Sequence, residues 1–187
     1  MAVTITTVHT RPDTSADFYY NTNTTLTQEL KTLREQDEAN GVMTFSLTYS
    51  QDGLNETAVS TYTDISGLNT RLNRHSIAYI HEYQNYTNTH SHTTTSYVMT
   101  GIDSAFTCTT DYTFPTAGLS SHTSLSNLLT DNTNGKLANL VVTDTNITAI
   151  HRYDNSTDYS SNAWRDAFVI DSLYTDGVTR TTTFAMV

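Results

Sequence analysis

The clearest pattern along the chain is an alternation. Met43, Phe45, Leu47 and Tyr49 are separated by Thr44, Ser46 and Thr48. A period of two places such apolar side chains on one face of a strand. Asp52-Gly53 follows, a dipeptide suited to a hairpin turn, and a second strand is expected to run to about Tyr62. "AVTITTVHT" near the start alternates in the same way, with Val3, Ile5 and Thr7 set against Thr4, Thr6 and Val8. The stretch "RPDTSADFYYNTNTT" reads as a connecting loop. In "LTQELKTLREQDEANG", Leu26, Leu30 and Leu33 fall on one helical stripe, and Asn40-Gly41 provides a left-handed stop. Asp64 can cap a second helix. That helix carries Leu68, Leu72, His75, Tyr79, Tyr83 and Tyr86 at spacings of three and four. A Thr-rich strand from about His92 to Thr100 completes the first half.

The second half repeats this order in shorter form. "AFTCTTDYTF" reads as a strand, and "LSSHTSLSNLLTDNTNG" as a helix with Leu125, Leu128 and Leu129 inward, ending near Gly135. "KLANLVVTDTNITAIHRY" reads as a hairpin turning around Asp144. "SSNAWRDAFVIDSLYTDG" is expected to be a helix with Trp164, Ala167, Phe168 and Val169 inward. "VTRTTTFAMV" is a final strand. The openings "TITTVHTRPDTS" and "TCTTDYTFPTAG" resemble each other, and both put Pro just after a Thr-rich strand. The expected fold class is therefore α+β: two tandem ferredoxin-like (βαββαβ) units with mainly antiparallel sheets, over residues 1–102 and 103–187. Each sheet should have one apolar face under its helices and one Thr-rich face.

Composition sharpens this picture. About one residue in five is Thr, while charged residues make up only 15% of the 187. Thr is β-branched, favours strands and tolerates solvent. The polarity is thus uncharged and strand-compatible, unlike that of disordered chains. The formal charge is −10, and Lys31 and Lys136 are the only lysines. No basic patch is visible, which argues against nucleic acid or an anionic membrane as direct partner. No apolar run is long enough to span a bilayer. "MAVTITTVHT" has neither a basic nor an apolar leader region, so no secretion signal is expected. Cys108 is alone, which excludes an internal disulfide and a Cys-based zinc site.

Candidate chemistry is sparse. His90 and His92 would share one side of a strand, as two metal ligands can. The further ligands, from His9, His75, His81 or a carboxylate, would have to come through tertiary contact. The simplest reading is two partly exposed histidines at a helix-to-strand junction. His75 reads as a hydrogen-bonded core histidine and the Tyr79, Tyr83, Tyr86 series as core or interface. The run Glu35, Gln36, Asp37, Glu38 reads as a solvated helix face. "DNTNG" and "DNSTD" lack the terminal Glu of a calcium loop and read as turns. No phosphate loop, dinucleotide fingerprint, nucleophile elbow or zinc helix is present. No residue is assigned as catalytic, cofactor-binding or metal-binding, and no cofactor is expected.

Two resemblances bear on function. In element order, Ala2 to Ile102 resembles a dimeric α/β-barrel unit, the fold of small cofactorless or haem-handling monooxygenases. The whole chain resembles virion structural proteins of marine tailed bacteriophages. The start "MAVTITTVHTRPDTSADFYY", the Thr, Asn and Tyr richness, the scarce Lys, the single Cys and the acidic balance carry that likeness. It implies a non-enzymatic head, neck or tail component in the virion, assembled in the host cytoplasm. Its partners would be further copies of itself or other virion proteins. The alternative is a small ferredoxin-like enzyme with a Tyr- and His-lined pocket. A surface module that binds carbohydrate is a third reading. The apolar end "FAMV" is expected to be buried in a sheet or against a neighbouring subunit.

Overall fold

A computed structural model describes residues 1–16, 25–74, 93–116, 135–162 and 177–187. The described residues divide into two units, with Gly101 at the end of the first and Ile102 at the start of the second. Ile102 belongs to the second unit by its bonding too, since its carbonyl accepts the Ser156 N–H at 2.8 Å.

The first unit runs β1 (Val3–Thr10), α1 (Thr25–Ala39), β2 (Met43–Tyr49), β3 (Asn55–Tyr62), α2 (Ile65–Leu72) and β4 (Thr93–Thr100). Its four strands lie in the order β2-β3-β1-β4, every ladder antiparallel. The second unit runs β5 (Phe106–Thr113), β6 (Leu137–Val142), β7 (Asn146–Tyr153), α3 (Ser156–Asn162) and β8 (Thr179–Met186). Its order is β6-β7-β5-β8, again antiparallel. Each sheet places the two strands of its hairpin side by side and returns the first strand to the centre, which is the ferredoxin-like order. The chain is α+β with two such units. The expected helix with Leu125, Leu128 and Leu129 lies outside the described residues, as do Trp164, Ala167, Phe168 and Val169.

The two units match residue for residue at their centres. β1 and β5 are eight residues each and pair with β3 and β7 in one frame. Val3 faces Tyr62 as Phe106 faces Tyr153, and Thr10 faces Asn55 as Thr113 faces Asn146. Thr57, Ala58 and Tyr62 recur as Thr148, Ala149 and Tyr153. Contacts recur as well. Thr10 Oγ donates to Asn55 Oδ1 at 2.6 Å, and Asn146 Nδ2 donates to Thr113 Oγ at 3.0 Å. The Arg11 N–H bonds the Leu54 carbonyl at 3.0 Å, and the Phe114 N–H bonds the Thr145 carbonyl at 2.8 Å.

Local signals explain most boundaries. Gly41, at φ 68°, ends α1, and the Val42 N–H then bonds the Asp37 carbonyl at 2.9 Å. Asp64 caps α2 by accepting the Gly67 N–H at 2.9 Å. The same device starts α3 earlier than expected. "DNSTD" is not a turn but a helix start, because Asn155 Oδ1 accepts the Asp158 N–H at 2.9 Å. The Asp158 carboxylate reaches back to the Asp154 N–H at 2.9 Å and to Lys136 Nζ at 2.5 Å. Gly101, at φ 99°, passes so close to the Ala2 carbonyl that a Cβ would collide with it.

The cores lie under the helices. Val3, Ile5, Met43, Ala58, Tyr62, Leu68 and Met99 are buried in the first unit. In the second, Tyr159 of α3 lies 5.9 Å from the ring of Phe106, 5.0 Å from Tyr153 and 5.5 Å from Phe184. Phe45 and Leu47 point to the covered face as the alternation predicts, but they are half-buried. The reason is topological: β2 pairs only with β3, so it is an edge strand. The Arg34 guanidinium lies over the Phe45 ring at 3.9 Å. Of the stripe Leu26, Leu30, Leu33, only the Leu33 side chain is among those described, and it is half-buried. The C-terminal strand is only partly inside: Phe184 is buried, whereas Met186 and Val187 are exposed in the chain.

Candidate functional site

Three arrangements stand out once each strand is assigned its faces. The first is an ionisable end to the covered face of a sheet. On the covered face of the first sheet, His9 follows Val3, Ile5 and Thr7, and Glu56 precedes Ala58, Ser60 and Tyr62. The ladder sets His9 directly opposite Glu56, which brings their Cβ atoms to about 5 Å. Glu56 is 0% exposed and His9 6%. His9 Nδ1 and the Thr94 hydroxyl are 3.1 Å apart, at the point where a bulge between Val8 and His9 shifts the β1–β4 register. The second unit shows that the fold itself does not require this. There Tyr112 stands at the His9 position and Ile147 at the Glu56 position, 0% and 1% exposed. Burying a carboxylate is costly where an Ile serves the same frame.

The second arrangement joins the helices of the first unit. Asp37, 1% exposed, receives Arg71 Nη1 at 3.2 Å and also Arg74 Nη1. Arg74 Nη2 donates to Gln36 Oε1 at 3.0 Å. Tyr62 belongs to the same neighbourhood: burial pushes its phenol up, and the Arg71 charge opposes that push. Only part of the acidic run is therefore a solvated face. Glu35, Gln36 and Glu38 are exposed, but Asp37 is the buried anchor of two arginines. Spacing held the signal, since Asp37 continues the stripe of Leu26, Leu30 and Leu33 by one more turn.

The third is the pair of faces turned away from the helices. In the first unit this face carries Thr4, Thr6 and Thr10 of β1, Asn55 and Thr57 of β3, and Thr44, Ser46 and Thr48 of β2. The β2 residues are exposed and the central ones half-buried. Thr4 and Thr61 hydroxyls lie 3.0 Å apart across the strands. In the second unit Thr109 faces Thr183, and Thr113 faces Thr179. Thr148 Oγ donates to Asp111 Oδ1 at 2.6 Å. These are surfaces of methyl and hydroxyl groups, chemically able to dock another surface and short of reactive groups.

His75, His81, His90, His92 and the Tyr79, Tyr83, Tyr86 series lie outside the described residues. Of the histidines considered as metal ligands, His9 is placed: it stands opposite Glu56 on the ladder and its Nδ1 lies near the Thr94 hydroxyl. Among the described residues no three His, Cys, Asp or Glu side chains gather as a metal site. No described helix is long and apolar enough to cross a membrane. Compared with known proteins, the chain matches no family model and no curated sequence.

Proposed function

We propose that the protein is a non-enzymatic assembly subunit, a head, neck or tail component of a phage virion, acting through protein–protein contacts. The observation that carries this reading is the pair of threonine-lined sheet faces on a chain of charge −10. Such faces present low-charge hydroxyl and methyl groups suited to wet contacts with other subunits. The chain's acidity fits solubility before assembly and disfavours nucleic acid as the partner. The test is recovery of the protein from purified particles. It should be retained after washing and released only when particles are disrupted. Its absence from particles would refute the virion setting.

A second reading follows from the buried His9–Glu56 pair: a small enzyme or ligand-binding protein working at that end of the first sheet. Its test is a thermal-shift screen of small polar molecules. A stabilising ligand whose effect vanishes in Glu56→Gln, with the fold kept, would favour this reading.

A further inference from the structure

α1 ends on an Asn-Gly pair. Asn40 and Gly41 are both exposed, and Gly41 stands at φ 68° with nothing within 4 Å of where a Cβ would sit. The pair recurs before β6 as Asn134-Gly135, and Gly135 stands at φ 64° in the same open space. An asparagine followed by glycine is the arrangement in which a side-chain amide reacts most readily with its own main chain, because no Cβ on the next residue shields the backbone nitrogen. Asn55, Asn69, Asn73, Asn139, Asn146 and Asn155 are all followed by residues that carry a side chain.

We infer that Asn40 is a self-modification site: it deamidates in the folded chain, at a rate set by how often the last turn of α1 opens. The inference is independent of the assembly reading. The Gly41 nitrogen attacks Asn40 Cγ, a new C–N bond closes a succinimide ring, and the side-chain amide leaves as ammonia. One water then adds at either ring carbonyl. The ring opens to aspartate or to isoaspartate, in which the main chain runs through the former side chain. Water is consumed, ammonia is released, and no oxidant or cofactor takes part.

The structure supplies the gate. The Gly41 N–H donates to the Glu38 carbonyl at 3.0 Å, and the Asn40 N–H to the Gln36 carbonyl at 3.0 Å. The attacking nitrogen is therefore engaged while the stop is closed and released when that turn opens. The turn is held shut by its own neighbours. Asp37 is gripped by Arg71 and Arg74, and its carbonyl accepts the Val42 N–H at 2.9 Å. Gln36 Oε1 accepts from Arg74 Nη2 at 3.0 Å. Asp52-Gly53 is a contrasting case in the same unit. The Asp52 carboxylate accepts the Ser50 hydroxyl and, at 3.0 Å, the Leu54 N–H, and these bonds hold it below its ordinary 3.8. An ionised carboxylate offers no good leaving group, so that turn does not cyclise.

The product bears on the fold. Either form puts a negative charge at the C-terminal end of α1, where the helix's own partial charge is negative. Isoaspartate also adds a methylene to the main chain, which changes the spacing on which the Gly41 and Val42 bonds depend. α1 then loosens from β2, the edge strand that follows it.

Peptide mapping by mass spectrometry, on the full chain aged in mildly alkaline buffer, tests this. The peptide holding Asn40 should gain the mass of an amide-to-acid exchange. Part of the product should be isoaspartate, detected by its methylation with a protein-isoaspartate methyltransferase. Asn139, also exposed but followed by Leu140, should stay intact over the same time. Asn40→Gln should remove the signal. Asp37→Ala should speed the reaction by about tenfold or more. Should that variant fail to fold, urea below the unfolding transition opens the same turn in the wild type and should accelerate the reaction likewise. An Asn40 that stays intact in the folded chain, while the urea-unfolded chain reacts there, overturns the inference, because the closed stop then forbids the attack. Reaction at Asn139 as fast as at Asn40 overturns it too. A folded Asp37→Ala that reacts no faster than the wild type overturns the gate.

Discussion

Replacing Asp37 tests most sharply how the first unit is held together. Asp37→Ala leaves Arg71 and Arg74 without their carboxylate partner among the described residues. Their side chains are 13% and 27% exposed against 1% for the aspartate. Breaking a fully buried pair typically costs about 3–5 kcal/mol. The partial exposure of both arginines lets them recover some hydration, which puts the expected loss near the lower end, about 3 kcal/mol. Glu35, two residues away, is the internal control. It meets Lys31 at 3.9 Å with both side chains more than half exposed, so Glu35→Ala should change stability by less than about 0.5 kcal/mol. Urea unfolding followed by fluorescence and circular dichroism reads both. Asp37→Asn should fall between them, since its one carbonyl oxygen can still accept from one arginine while its amide N–H2 faces the other and the charge is lost. An Asp37→Ala midpoint no lower than that of Glu35→Ala would refute the idea that this triad fastens α1 to α2.

Other outcomes follow from the same structure. Leu47→Ala should cost about 1–2 kcal/mol, less than a fully buried Leu, because β2 is an edge strand and the side chain is half-buried; denaturant titration checks it. Phe106→Ala should cost about 3–5 kcal/mol, as it removes a fully buried ring from among Tyr153, Tyr159 and Phe184. At Asp158, burial raises the carboxyl pKa, but the Lys136 bond, the Asp154 N–H and the Asn162 amide together outweigh it and hold the group below its ordinary 3.8. A depressed carboxyl stabilises the folded state above its unfolded value and loses that contribution as the pH falls through the folded one. Wild type should therefore lose stability more steeply than Asp158→Asn below about pH 4, and equal slopes would count against the contact. Protein purified without an affinity tag should carry no stoichiometric zinc, copper or iron by elemental analysis. A one-to-one metal lost in a His90→Ala, His92→Ala double variant would reverse that expectation.

The sequence by itself determined the strands, the hairpin positions and the doubling of the unit, because these rest on local physics. Alternation at Met43–Tyr49 assigns a face whatever the neighbours are, and Asn40-Gly41 and Asp64 stop and start helices through their own backbone and side-chain bonds. Tertiary structure decided what sits opposite what. Nothing local pairs His9 with Glu56 across the ladder, or carries Arg71 of α2 and Arg74 just beyond its end to Asp37, more than thirty residues earlier in the chain. The strand order also set how deep each apolar residue lies, leaving Phe45 and Leu47 half-covered on an edge. The start of α3 was legible and was missed: "DNSTD" holds a capping Asn three residues before an acid, the spacing that joins a helix's first turn to its own cap. The threonine face needed both sources, since the letters repeat in the sequence but only the ladder register shows that they share one side of the sheet.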